Sequence, residues 1–97
     1  MDKNGYNDSL FNTADGTCFL TGKVCATARH EIFNKDARKA SKEDGLWIAV
    51  CPEIHDRIHN DYILWDRLKR DAEIKWLVAD FNRSIGDFVE RFGRNYL

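Results

Sequence analysis

The chain has 97 residues, of which 43% are hydrophobic and 32% charged, and its formal net charge at pH 7 is -1. This length suits one domain with a modest core and excludes two, and the apolar fraction, with three tryptophans, excludes an intrinsically disordered protein. No stretch is as long as an apolar membrane span, and the polar first residues lack the apolar run of an export signal. We therefore expect a cytoplasmic protein without a membrane partner.

Charge and cysteine content further limit the class of protein to which the chain can belong. A near-neutral balance argues against a domain whose main task is to hold nucleic acid, because such domains are usually basic. Two short basic runs, residues 38–42 and 67–70, are most simply solvated surface. Three cysteines, an odd number in a chain with no export signal, do not indicate a disulfide framework.

The first half of the chain predicts a loose arm followed by strands. Residues 1–17 are rich in Asn, Asp and Gly, and we expect a loose N-terminal arm there. Residues 18–23 are typical of a short strand that enters a glycine turn. Residues 30–33 predict another strand, and the apolar, β-branched residues 46–50 predict its hairpin partner. Between the two, a polar loop leads to one helical turn over residues 41–45.

The second half predicts helices. Pro52 suits the first position of a helix, where its missing N–H does no harm. After Asn60 an apolar stripe at helical spacing indicates a core-facing helix, formed by Trp65, Leu68, Ala72, Trp76 and Ala79. Ser84 and Asp87 form a capping-box pair for a last helix, which ends at Gly93 and turns Phe88, Val89 and Phe92 inward. The predicted class is α+β: a β-hairpin and helix core over residues 18–60, then two C-terminal helices over residues 61–97, in a single domain over 18–97.

All three histidines of the chain belong to this core. His55 and His59 are four residues apart, so on a helix they lie on one face. His30 would approach from the neighbouring strand and supply a third nitrogen. Three imidazoles with further positions left open are the catalytic form of a divalent metal centre. The alternative is three unrelated surface histidines.

Six short stretches occur in order along the chain. They are Cys-Phe-Leu-Thr-Gly at 18–22, Arg-His-Glu-Ile-Phe at 29–33, Ala-Arg-Lys-Ala-Ser at 37–41, Gly-Leu at 45–46, Cys-Pro-Glu-Ile-His at 51–55 and Phe-Gly-Arg-Asn-Tyr-Leu at 92–97. Together they resemble the HNH endonuclease superfamily, and most of all small phage proteins of HNH type. The resemblance implies a ββα-metal core that binds one divalent ion (Zn²⁺, Mg²⁺, Mn²⁺ or Ni²⁺) through His30, His55 and His59. It also implies a phage-encoded protein in the cytoplasm of a bacterial host.

The chain departs from the family at the positions of a structural zinc. In the family two Cys-x-x-Cys pairs hold that ion, whereas here the second cysteine of each pair is replaced, by Thr21 and by Ile54. Cys18 and Cys51 alone cannot complete a tetrahedral site. Cys25 lies beyond the turn at Gly22 and is not expected to complete it. We expect no structural zinc.

The catalytic positions also depart from the family. Glu31 occupies the place of the general-base histidine, and a carboxylate is a weaker base at neutral pH, with an ordinary pKa of ~4.3. Glu31 has two other roles open to it, as an additional metal ligand or as a salt-bridge partner of Arg29 or Arg38. The asparagine that orients the base falls on Ala37, with Asn34 as a nearby substitute. Arg38 matches the family's arginine and would contact a phosphate.

Three hypotheses follow. The first is a degenerate HNH fold with little or no cleavage, which acts by binding nucleic acid or a protein target, for example as an anti-CRISPR-type inhibitor of a host defence nuclease. The second is an active metal-dependent endonuclease, in which Glu31 activates water and Arg38 holds the phosphate. The third is a purely structural domain whose histidines bind nothing.

Overall fold

Two antiparallel strands and four α-helices make up the protein, which a computed structural model describes over residues 1–97. The α+β class predicted from the sequence is confirmed. In chain order the elements are β1 (Ala28–Glu31), a 3-10 turn (Lys35–Ala37), α1 (Arg38–Glu43), β2 (Trp47–Val50), α2 (Pro52–Asn60), α3 (Tyr62–Ala79) and α4 (Ile85–Phe92). No helix combines the length and apolarity needed to cross a bilayer.

The two strands pair with His30 opposite Ile48, and every residue of β2 is buried. The first strand begins and ends two residues earlier than the 30–33 predicted from sequence. The reason is local: the Phe33 N–H bonds to the Ser41 hydroxyl, at 3.2 Å, and not to a strand partner. Ile32 and Phe33 are nevertheless buried, so their predicted role as apolar anchors holds.

The connection between the strands is more helical than the sequence indicated. The predicted polar loop contains a 3-10 turn, and the predicted single turn at 41–45 is the end of α1, which begins at Arg38. Gly45 follows α1 with φ +72°. A Cβ atom there would clash with the carbonyl oxygen of Asp8, so this position requires glycine.

The N-terminal segment packs against the sheet, where the sequence predicted a loose arm. The Ser9 hydroxyl donates to the Trp47 carbonyl at 2.6 Å, and the Leu10 N–H donates to the Gly45 carbonyl at 2.8 Å. Phe11 is only 4% exposed and belongs to the core. The segment covers backbone groups at the start of β2 that would otherwise lack partners.

Residues 18–23 form a tight turn, and the strand predicted there is wrong. The Cys18 N–H donates to the Lys23 carbonyl, and the Gly22 N–H donates back to the Cys18 carbonyl, each at 2.8 Å. These bonds close the chain on itself within six residues. Only an isolated bridge between Thr17 and Val24 flanks the turn.

Cys25 and Cys51 form a disulfide, which the odd number of cysteines did not indicate. It ties the segment before β1 to the residue that precedes α2. Cys18 remains a buried free thiol. An odd cysteine count does not exclude one bridge, because the pairing depends on how the turn at Gly22 returns Cys25 to the end of β2.

The predicted helix signals are confirmed in α2 and α4. Pro52 is the first residue of α2, and the reciprocal capping box of Ser84 and Asp87 begins α4. Gly93 ends α4 in the left-handed conformation, with φ +92°. Phe88 and Phe92 are buried, but Val89 is 36% exposed and does not point inward as predicted.

Helix α3 buries the middle of its predicted stripe. Leu68, Ala72 and Trp76 are core residues, Trp65 is half-buried, and Ala79 is exposed, contrary to expectation. Glu73 of α3 is also fully buried, and its Oε1 accepts the Tyr96 N–H at 2.7 Å while its Oε2 has no partner. That bond holds the C-terminal residues against α3.

Candidate metal centre

His30 lies at the base of the site. Side chains alternate between the two faces of a strand, and the His30 ring faces α2 and α3, where it is 1% exposed. Its ring centroid lies 5.2 Å from that of His55 and 5.3 Å from that of His59. The strand pairing thus places the His30 side chain next to the face of α2 that carries His55 and His59.

His55 and His59 come from successive turns of α2. Their Nε2 atoms are 3.2 Å apart. One ligand nitrogen from each of the three histidines lies within 4.8 Å of the other two. Tetrahedral zinc with Zn–N bonds of ~2.05 Å separates its ligand nitrogens by ~3.4 Å. The His55–His59 pair is already near that separation, and small side-chain rotations would bring in His30.

The site favours neutral imidazoles. Burial lowers the pKa of His30 to about 3, and the nearby charges of His55 and His59 act in the same direction. Burial, followed by the charge of His59, also lowers the pKa of His55. A neutral imidazole is the form that binds a metal ion, so both rings are ready to bind at neutral pH.

The Nε2 atom of His30 is buried and has no hydrogen-bond partner. Such an atom costs free energy unless something pairs with it. A metal ion held by the three histidines would be that partner, so the residues present fit a divalent ion. Imidazole nitrogen suits Zn²⁺, Ni²⁺ or Cu²⁺, whereas Mg²⁺ prefers oxygen ligands. The donor set therefore favours a transition metal within the range expected from the sequence.

Trp65 forms one wall of the site, a role that sequence reasoning did not assign. Its indole N–H donates to the Ile32 carbonyl at 2.8 Å. Its ring meets those of His30 and His59 edge-on, with centroids 5.1 and 4.9 Å away. The apolar stripe of α3 indicated only a core residue, because nothing local shows that α3 returns to the histidines.

Glu31 is an ion-pair partner of Arg38 in this structure. Its Oε1 accepts from Arg38 Nε at 3.0 Å and from the Tyr6 hydroxyl at 2.7 Å, and its side chain is 12% exposed. Burial alone raises the pKa of Glu31, but the hydrogen bonds from Tyr6 and Arg38 outweigh it and the pKa lies below the usual value. Glu31 is not among the residues that converge as metal ligands.

The other expected partners of Glu31 lie elsewhere. Arg29 pairs with Asp2 and Asp15. Ala37 offers no polar side chain, and the exposed Asn34 makes no side-chain hydrogen bond to Glu31. The carboxylate of Glu31 is therefore oriented by Tyr6 and Arg38. Tyr6 was missed because it belongs to a segment whose contacts with β1 are long-range.

Comparison with protein-family models, with curated proteins and with solved structures finds no match to this chain. The HNH resemblance remains a prediction that rests on the six stretches quoted above.

Proposed function

We propose that the protein holds a divalent transition-metal ion with His30, His55 and His59 and binds a phosphodiester group of nucleic acid at that centre, with little or no cleavage. The observation that carries this proposal is the convergence of three ligand nitrogens within 4.8 Å, one of them a buried atom without a partner. Three protein ligands leave further positions open on a divalent ion. When bound, the ion would supply positive charge to a phosphate oxygen.

The state of Glu31 supports binding over cleavage. A general base must be free to accept a proton from water. Here one carboxylate oxygen accepts two hydrogen bonds, and these bonds keep the pKa of Glu31 low. A carboxylate of low pKa is a poor base at neutral pH.

Hydrolysis is the second candidate, and one observation favours it. Glu31 directly follows His30 in β1, and its charge raises the pKa of both His30 and His55. In this candidate the free Oε2 of Glu31 would take a proton from water. Arg38, whose side chain is 61% exposed, would contact the phosphate.

Metal binding is tested by isothermal titration calorimetry with Zn²⁺ and Ni²⁺. The native chain should bind one equivalent. His55→Ala should weaken binding at least ~100-fold, because even loss of a group behind a ligand costs 10–100-fold. Arg57→Ala changes an exposed residue of the same helix and should bind as the native chain does. Equal affinity in native and His55→Ala protein would reject the centre.

His30→Leu separates the metal site from the fold. The leucine side chain fills a similar volume and removes the buried unpaired nitrogen. With chelator present, the unfolding free energy of His30→Leu should therefore lie no more than ~1 kcal/mol below that of the native chain. Zn²⁺ at a hundred times its dissociation constant should stabilise the native chain by ~2.7 kcal/mol and leave His30→Leu unchanged. Equal stabilisation of both would contradict the proposal.

Cleavage is tested by nicking of supercoiled plasmid with Mg²⁺, Mn²⁺, Ni²⁺ or Zn²⁺. The proposal expects no nicking above that of the chelated protein. Nicking by the native chain that disappears in both His55→Ala and Glu31→Gln would establish the second candidate instead.

A further inference from the structure

Three basic residues without an ion-pair partner act electrostatically on one another, and one of them, Lys69, lies beside the histidine centre. They are Lys35 in the 3-10 turn after β1, Lys69 on α3 and Arg94 after α4. None takes part in any of the ion pairs of the chain, and none is among the lysines and arginines whose side chains donate a hydrogen bond. They come from three separate parts of the sequence, so no basic run predicts them together.

Aromatic rings connect these cations to the centre. Lys69 Nζ lies 4.7 Å from the centroid of the Trp65 ring, the same ring that contacts His30 and His59. Lys69 also lies 5.5 Å from the Tyr96 ring, and Arg94 approaches that ring to 4.9 Å. Rings that pack against cations limit their freedom and hold them in place. The order from the histidines outward is Trp65, Lys69, Tyr96 and Arg94.

The clustering of Lys35, Lys69 and Arg94 is electrostatically unfavourable without a bound anion. Burial lowers the pKa of Lys69, Asp66 opposes that change, and the charges of Arg94 and Lys35 lower the pKa further. Like charges held this close repel one another. Lys35 is also the only residue other than glycine with a positive φ, +54°. Such strain persists where the surrounding structure holds it and often accompanies a binding role.

We propose that Lys35, Lys69 and Arg94 form a basic band that binds the backbone phosphates of nucleic acid next to the phosphate held at the histidine centre. This inference rests on the proposed function and identifies the polymer side of the same site. Three cations without ion-pair partners, which extend outward from a centre with open positions, fit a chain of anions better than one isolated phosphate. Each strand of duplex DNA carries one charge per ~3.4 Å along the axis, so neighbouring phosphates are within reach of such a band.

The test is fluorescence anisotropy with a fluorescein-labelled duplex of ~20 base pairs, titrated at several NaCl concentrations with Zn²⁺ and, separately, with chelator. The variants are Lys35→Gln, Lys69→Gln, Arg94→Gln and the triple variant. The matched control is Lys75→Gln, because Lys75 is also on α3, also lies over an aromatic ring (Phe11, 5.3 Å) and also lacks an ion pair, but is outside the band.

Each band variant should reduce the slope of log K against log salt by ~0.9 and weaken binding about five- to tenfold at 0.1 M salt. The triple variant should lose close to the sum of the three single losses in binding free energy. Lys75→Gln should bind the duplex with the affinity and salt slope of the native chain. A triple variant with the native slope, or a control that loses as much as Lys69→Gln, would overturn the band. Equal affinity for polyglutamate would overturn it too, since the cations would then recognise any polyanion.

The experiments distinguish a wrong assignment of the basic band from a wrong assignment of the metal centre. Band variants that lose duplex binding while the native chain takes up no Zn²⁺ support the band and reject the centre. Band variants that bind duplex normally, in a chain whose Zn²⁺ uptake depends on His55, reject the band alone. Native protein that shows no duplex binding at the lowest salt rejects the band.

Discussion

At the residue scale, the contact between Tyr6 and Glu31 joins the N-terminal segment to β1 beside the candidate metal centre. The Tyr6 hydroxyl bonds to Glu31, and its ring lies edge-on to Trp47 at 5.7 Å. Burial raises the pKa of Tyr6 to about 12, with the hydrogen bond to Glu31 as the next cause. Tyr6 therefore stays a protonated donor at every pH at which the protein would be studied. One residue thus orients the carboxylate and attaches the N-terminal segment.

Tyr6→Phe tests this bond. The variant should lose about 1.5–3 kcal/mol of unfolding free energy in urea, the range for hydrogen bonds to charged groups. Tyr96→Phe is the matched control, because the Tyr96 hydroxyl is not a donor to any protein group and Tyr96 is likewise half-buried. Equal losses in the two variants would show that the Glu31 bond does not stabilise the fold.

At the element scale, the disulfide connects the site's two supports. Cys25 precedes β1, which carries His30, and Cys51 precedes α2, which carries His55 and His59. The bridge closes a loop with a sequence separation of 26 residues. That loop contains both strands and α1, so the bridge restrains the unfolded chain over the whole hairpin.

Reduction of the disulfide should lower the unfolding free energy by about 3–4 kcal/mol in the chain-entropy treatment of a loop of this length. The measurement is urea unfolding with and without a phosphine reductant. Cys25→Ser should show the same loss and no further response to reductant, while Cys18→Ala should keep the native response. An identical urea midpoint for oxidised and reduced native protein would contradict this expectation.

At the scale of the whole molecule, Asp44 joins three helices. It follows α1, accepts from the Trp76 indole of α3 at 2.7 Å, and receives two bonds from Arg91 of α4, at 2.5 and 2.8 Å. The side chain of Asp44 is 12% exposed and that of Arg91 is 40% exposed. The exposed ion pair is partly screened by solvent, so the indole bond should contribute the larger share.

Asp44→Ala should cost about 2 kcal/mol of unfolding free energy, mainly through the unpaired Trp76 indole. Near-ultraviolet circular dichroism should report a changed tryptophan environment. Asp71→Ala replaces an exposed carboxylate of α3 and should stay within ~0.5 kcal/mol of the native chain. A loss no larger than that of Asp71→Ala would remove Asp44 from this role.

The elements that the sequence predicts correctly are those whose signals act locally along the chain. The bounds of the paired strands and of α4, and the start of α2, agree with the sequence predictions to within two residues. The helix signals succeed because capping residues, Pro52 and Gly93 act on the backbone nearest to them. Residues 18–23 form a turn and not the predicted strand, because two of their backbone hydrogen bonds close within the segment. No local signal predicts the burial of Glu73, because its partner, the Tyr96 N–H, is 23 residues away.

The sequence by itself determined the α+β class and the pairing of His55 with His59, since a helical turn places residues four apart on one face. The tertiary structure decided that His30 and Trp65 meet that pair, that Tyr6 and Arg38 engage Glu31, and that Cys25 bridges to Cys51. The physical reason is range. Backbone geometry and capping act over a few residues, whereas the partners of a buried polar group are found only when distant segments pack together.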